Sequence, residues 1–182
     1  EMTPDVRRRA KAINFGVIYG ISGFGLARNL RIPRGEAQAF INTYFERFPG
    51  IRTYMDETKE FAKSKGYVQT LFGRKIHTPE INAKGPRAGF AHRAAINAPI
   101  QGTAADVIRR AMIRMEAAIE GLPARMLLQV HDELLFEVAE GAVETLIDRA
   151  RAVMESASDP AVHLSVPLTV DAGQGANWAE AH

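Results

Sequence analysis

An α+β fold follows from three features of this 182-residue sequence. Apolar residues recur at helical spacing through most of the first half, punctuated by proline and glycine. Two short apolar runs, Met126 to Val130 and Leu134 to Val138, flank a polar tripeptide and read as an antiparallel pair. Charge divides as well: up to Arg93 there are 17 Lys and Arg against 8 Asp and Glu, and beyond it 6 against 13. The sequence thus predicts a basic, mostly helical lobe over residues 1–90, then an acidic lobe over 91–182 built of an antiparallel sheet with packed helices.

The first helix has a clear start. Thr3 is a good N-cap, Pro4 suits the first helical position, and Asp5 complements the positive end of the helix dipole. Val6, Ala10, Ile13, Val17, Ile21 and Phe24 follow the helical period and form a packing face. Arg7, Lys11, Phe15 and Tyr19 recur every four residues on the other side. Aromatics at helical spacing usually face a core, but here the core stripe lies elsewhere. Two cations and two aromatics in one stripe about 18 Å long have the chemistry of a nucleotide site, with phosphates at one end and sugar and base at the other. Gly16 and Gly20 each cost about 1 kcal/mol against Ala in a helix interior. They read as room for close approach by a ligand or another chain segment, or, for Gly20, as the helix end.

Ser22-Gly-Phe-Gly25 marks a turn or helix end, and Leu26 to Ile32 a second short helix. After Pro33, the residues Ala37, Phe40, Ile41, Tyr44, Phe45 and Phe48 keep helical period until Pro49-Gly50. Ile51, Tyr54, Thr58, Phe61 and Ala62 give another amphipathic helix ending near Gly66, and the aromatics of both helices are assigned to the core. Tyr67 to Thr70 and Lys75 to Thr78 read as a small hairpin, and Lys84-Gly-Pro-Arg87 as a polar lobe boundary. From about Ala88 the pattern is helical again, with Pro99 expected to kink or break it. Val107, Ile108, Ala111, Met112, Met115 and Ile119 carry the core face onward. A helix over Glu140 to Ser156 and a strand over Val166 to Val170 complete the reading.

Composition narrows the class. At 46% hydrophobic, with no run long enough to span a bilayer, the sequence predicts a soluble chain with no membrane partner. The absence of cysteine excludes disulfides and thiolate metal sites. No secretory signal opens the sequence, which favours a cytoplasmic protein, and its start at Glu1 suggests a fragment of a longer one.

Two further constellations carry chemistry. Asp132 and Glu133 sit between apolar strands, which would hold a carboxylate at a rigid sheet end where it can bind Mg²⁺ as a hard oxygen ligand. On the turn alone, Asp as a routine turn former is the better reading. Arg93, Asn97 and Gln101 repeat the four-residue spacing. Such side chains can donate to the purine N3 and pyrimidine O2 acceptors that every base pair shows in the minor groove, testing pair geometry without reading sequence.

Arg7-Arg-Arg-Ala-Lys-Ala-Ile-Asn-Phe-Gly-Val-Ile-Tyr-Gly20 resembles motif B of the family A DNA polymerases, and Gln129-Val-His-Asp-Glu-Leu-Leu-Phe-Glu137 resembles their motif C. The segment from Arg93 to Asp106 matches as well, as does Thr70-Leu-Phe-Gly-Arg74, although His77 stands where Tyr is more usual. The resemblance spans nearly the whole chain, with the motifs in the family's order. It implies that residues 1–90 are part of the fingers and 91–182 part of the palm. Arg7 and Lys11 would bind the triphosphate of an incoming deoxynucleoside triphosphate, with Lys11 also the general acid for departing pyrophosphate. Phe15 would pack on the sugar and base and, being Phe where some relatives have Tyr, discriminate against dideoxynucleotides. Tyr19 would lie at the templating base pair. Asp132 is implied as a Mg²⁺ ligand, Glu133 as its support, and His131 as a neighbour of the primer end. Arg93, Asn97 and Gln101 would contact primer-template DNA.

Two-metal phosphoryl transfer calls for carboxylates bridging both ions. In the family a partner strand with Asp-Tyr-Ser and a following Glu precedes motif B, and residues 1 to 182 hold no counterpart; Asp5 and Asp56 lie in helical patterns. The isolated chain is therefore expected to be inactive, with exposed sheet edges favouring self-association. A metal-dependent nuclease could use Asp132 and Glu133 but leaves the nucleotide stripe unexplained. A DNA-binding module has no need of the carboxylate pair. An RNA polymerase or reverse transcriptase of related architecture is the remaining alternative, and the family match favours DNA synthesis.

Overall fold

In the computed structural model, which describes residues 3–181, the side chain of Asp5 lies outside the described residues. Helix α1 spans Pro4–Ile18, and its cap is the predicted one, the Val6 N–H donating to the Thr3 hydroxyl at 3.3 Å. Gly20 ends it, with φ +73°. The N–H groups of Gly20 and Ile21 return to the carbonyls of Val17 and Gly16 at 2.9 and 2.8 Å, the paired bonds of a Schellman motif. The Ile21 side chain closes over Gly16, whose missing Cβ would lie 3.1 Å from it. The room at Gly16 therefore admits a neighbouring segment of the chain.

Ser22, expected in a turn, caps a new helix by accepting from the Gly25 N–H at 3.1 Å. This α2 covers Gly23–Leu30 and stops where Arg31 turns left-handed at φ 56°. Helix α3 runs Arg34–Arg47 and α4 runs Pro49–Lys65. Val17, Leu26, Ala27, Ala37 and Ile41 form a core, with Ile13, Ile21, Tyr44 and Phe45 packed against it. A fully enclosed Leu such as Leu26 contributes about 2 kcal/mol by leaving water.

Three members of the expected packing face are not in that core. Val6 is 48% and Phe24 63% exposed, and Ala10 is exposed too. The cause is phase: α1 ends before Gly20, so Phe24 belongs to a new helix with its own orientation, and only the Ile13 to Ile21 stretch meets α2 and α3. Of the aromatics assigned to the core, Phe40, Phe48 and Phe61 are instead exposed. Phe48 packs against Tyr44 with ring centres 5.1 Å apart and planes tilted by 53°, and Phe61 meets Tyr67 edge-on at 5.7 Å, so helical period alone misjudged how many rings the short helices could cover.

The hairpin is as expected, with β1 (Tyr67–Gln69) antiparallel to β2 (Lys75–His77) and Val68 opposite Ile76. Ala62, Val68, Ile81 and Ala95 form a second small core. Helix α5 then runs unbroken from Pro86 to Ala118 with Pro99 inside it. Of the expected kink or break, the break is absent. Proline removes one backbone donor at about 3 kcal/mol, yet the Tyr54 hydroxyl reaches the same turn and donates to the Ile96 carbonyl at 2.8 Å. Neighbouring Ala95 and Ile96 are buried, so tertiary packing holds the helix together.

Strands β3 (Ala124–Val130) and β4 (Glu133–Val138) form an antiparallel pair with Arg125 opposite Glu137, Val130 opposite Glu133 and an irregularity between Met126 and Leu128. A 3₁₀ turn at Glu140–Ala142 leads into α6, Val143–Glu155. Arg149 of α6 donates to the Ala118 and Glu120 carbonyls at the end of α5, where a cation also suits the helix dipole. Arg110 and Arg114 bind the carbonyls of Ser156, Ala157 and Asp159.

The expected strand over residues 166–170 is not formed. Pro167 has no N–H to give, and at Val170 side chains replace a ladder: the N–H donates to Glu155 at 3.1 Å and the carbonyl accepts from Arg151 at 3.3 Å. A short helix α7, Trp178–Ala181, closes the described chain.

The chain forms two compact units: Glu1–Thr70 with Arg74–Ile100, and Leu71–Gly73 with Gln101–His182. The division falls within α5, after Ile100. Among the described residues no helix is long and apolar enough to cross a membrane.

Candidate nucleotide and primer-template site

On α1 the predicted stripe is an assembled surface. The Lys11 ammonium lies 5.8 Å from the centre of the Phe15 ring, within cation–π range. Phe15 and Tyr19 have ring centres 6.1 Å apart, tilted by 31°. Phe15 is 49% exposed, so its ring is no part of the core beneath. Arg7 and Lys11 are exposed on the same helix. Tyr19 is the C-cap, its N–H bonded to the Phe15 carbonyl at 3.0 Å. A flat apolar moiety could lie on the rings while anionic groups meet the cations.

The same compact unit brings Arg93 to the end of this stripe. A Cβ on Gly20, the residue after Tyr19, would meet Arg93 Cγ at 3.2 Å and the Met55 methyl at 3.7 Å. Asn97, one turn further along α5, has its side-chain oxygen buried with no hydrogen-bond partner among the described residues. Gln101, the third member of the expected set, is exposed in the other unit.

The second unit holds the carboxylates. His131 and Asp132 make a two-residue turn between Val130 and Glu133, and His131 takes the left-handed conformation at φ 53°. A two-residue hairpin needs positive φ at its first central position to match strand twist, which costs a non-glycine residue roughly 1 kcal/mol. The Gln129 side-chain amide donates to the His131 carbonyl and braces the turn. Sequence reasoning quoted Gln129 without giving it a task; its place two residues before a strained turn was the available signal. Asp132 is exposed at the tip, while Glu133 is half-buried as the first residue of β4.

A hard cation takes six or more oxygen ligands. Asp132 suits one of them: its carboxylate is exposed and carried on a braced turn. Among the described residues no three His, Cys, Asp or Glu converge as a metal cage. Asp56 is engaged elsewhere, paired with Lys59 at 2.7 Å.

Comparison with known proteins supplies the family. The chain belongs to DNA polymerase family A, which it matches over residues 1–180. It is 59% identical to DNA polymerase I of Rhizobium leguminosarum, covering 100% of this chain and 18% of that protein, and 50% identical to DNA polymerase I of Pseudomonas aeruginosa, covering 100% and 20%. Among solved structures it resembles the POL domain of Pol1 from M. smegmatis in complex with DNA primer-template and dNTP, with a TM-score of 0.92 and 45% identity, covering 100% of this chain and 32% of that one. The chain thus spans about a fifth of the length of these curated relatives.

Proposed function

We propose that this chain is the nucleotide-binding part and half of the metal-binding part of a DNA-directed DNA polymerase, which adds deoxynucleotides to a primer 3′ end on a DNA template. The observation that carries the reading is the stripe of exposed Lys11 and Phe15 with half-buried Tyr19, standing apart from the buried core residues of its own helix. Residues 1–90 are assigned to the fingers and 91–182 to the palm. Arg7 and Lys11 hold the triphosphate, Phe15 packs on the sugar and base, and Tyr19 borders the templating pair. Arg93, Asn97 and Gln101 lie against primer-template DNA, and His131 near the primer end.

In the reaction the primer 3′ hydroxyl gives its proton to water as its oxygen bonds to the α-phosphorus, the bond from that phosphorus to the bridging oxygen breaks, and pyrophosphate leaves. Lys11 supplies a proton to the leaving group. Asp132 is the residue that would hold Mg²⁺, with Glu133 in support; bound Mg²⁺ supplies charge neutralisation at the phosphates. The remaining carboxylates must come from outside these residues, so the isolated chain is expected not to extend a primer. The open edges of the β3–β4 pair favour self-association of the isolated chain; a monomer in sedimentation across a wide concentration range would count against that.

Mg²⁺-dependent binding of a deoxynucleoside triphosphate to the 182-residue chain, measured by titration calorimetry, tests the reading. Binding that disappears in Lys11→Ala is expected. Equal binding by both forms would overturn it.

A further inference from the structure

We propose that Gly20 and Gly89 are positioning residues: between them they form a seat that aims the Arg93 guanidinium. The inference rests on the reading above, in which Arg93 meets the primer-template. It goes further in naming what sets that side chain's direction.

Arg93 is held from two sides. Its stem lies along Gly20, where a Cβ would come within 3.2 Å of Cγ and 3.9 Å of Cδ, with the Met55 methyl beside it at 3.7 Å. Its far end passes Gly89, one turn earlier on α5, where a Cβ would lie 3.3 Å from Nη1. At 3.2 Å from Cγ and 3.3 Å from Nη1 the arginine must give by a few tenths of an ångström, whereas the 3.7 and 3.9 Å approaches are ordinary van der Waals contacts. A side chain at residue 20 would push the stem, and one at residue 89 would push the charged tip. Arg93 is itself exposed, and fixing such a side chain costs about 2 kcal/mol; the two bare backbone surfaces leave room for the rotamer in which its stem and tip lie along them.

Gly20 also terminates α1 directly after Tyr19, through its left-handed φ of +73°. One residue therefore joins the end of the nucleotide stripe to the arginine expected at the minor groove. A displaced stripe end carries the Arg93 stem with it, so nucleotide fit and base-pair inspection are linked through a shared contact.

Gly89→Ala isolates the seat from backbone effects. Position 89 lies in a helix, where Ala is favoured over Gly by roughly 1 kcal/mol, so the variant folds at least as well as the parent. Primer extension is measured in the full-length polymerase that carries this segment, with matched and mismatched primer ends, for Gly89→Ala, Arg93→Lys and the double variant. Gly89→Ala is expected to raise the melting temperature while lowering kcat, and the preference for matched ends, by on the order of fivefold, with KM for the nucleotide little changed. In the Arg93→Lys background, which lacks Nη1, adding Gly89→Ala should then have almost no effect. A fivefold loss in both backgrounds, or none in either, overturns the seat. If Arg93→Lys alone leaves extension and mismatch preference at the parent level, it is the minor-groove role of Arg93 that fails.

Gly20→Ala is compared with Gly66→Ala, which has a similar φ of +76° but nothing within 4 Å of its Cβ position. The backbone strain is shared by the two. A loss of mismatch discrimination confined to Gly20→Ala supports the seat, and equal behaviour of the two variants counts against it.

Discussion

The Tyr54 hydroxyl donates to the Ile96 carbonyl at 2.8 Å, three residues ahead of Pro99. It ties α4 to the turn of α5 that a proline has deprived of a donor. Tyr54→Phe is expected to destabilise the protein by about 1 kcal/mol. Burial raises the Tyr54 pKa above its ordinary value, partly offset by a hydrogen bond with Thr58. The folded state therefore keeps that proton to higher pH than the unfolded chain does. Its contribution is complete below the unfolded value of about 10 and is lost as pH rises through the folded value. Denaturant melts between pH 8 and 11 should show an alkaline fall in stability that shrinks in Tyr54→Phe; an unchanged fall would assign it to other groups.

Asn97 has a buried oxygen without a partner among the described residues, which costs roughly 1–3 kcal/mol. Replacing it with Leu should leave stability equal or higher by about 1 kcal/mol while weakening primer-template binding by the parent enzyme. Lower stability together with intact DNA binding would show that the amide serves the fold.

Asp132 is exposed on its turn, so Asp132→Ala should leave the melting temperature within about 2 °C, as surface changes do. Loss of a ligand to a catalytic cation forfeits several kcal/mol of transition-state stabilisation, roughly a 10³-fold fall in kcat for the polymerase carrying this segment. Extension assays by the variant at a rate near the parent's would remove Asp132 from the mechanism.

Arg110 reaches the carbonyls of Ala157 and Asp159 at 2.8 and 3.2 Å and lies over the Phe72 ring at 5.0 Å. Arg110→Ala should cost about 2–4 kcal/mol in chemical denaturation, since charge-assisted bonds contribute about 1.5–3 kcal/mol each and do not add fully. Arg110→Lys should recover little, because an ammonium cannot reproduce the planar fork.

Much of this architecture was legible because local signals and tertiary structure agree. Thr3, Pro49 and Gly66 bound helices where the sequence predicts, and the apolar runs around His131 and Asp132 pair as a hairpin. The stripe was readable because its four-residue period diverges from that of the core residues beneath it. What escaped depends on partners distant in sequence. Phe24 left the packing face because Gly20 resets the helical phase. Pro99 stayed helical within a packed turn that Tyr54 also reaches, 42 residues upstream of Ile96. Residues 166–170 have a strand's composition, but Glu155 and Arg151 take the Val170 backbone groups first. No periodicity reports that Arg93 lies on Gly20, because the two are 73 positions apart in the sequence.

Arg149 has a kinetic meaning as well. By holding the Ala118 carbonyl across 31 positions it closes a short chain circuit, and the β3–β4 hairpin lies entirely inside it. Closing a loop of that length costs only about 0.6 kcal/mol more than one half as long, and hairpins form in about 1–10 μs. The carboxylate-bearing tip can thus reach its native geometry early, from neighbours near in sequence. A ribosome that has released little beyond Arg149 already exposes every residue the circuit needs.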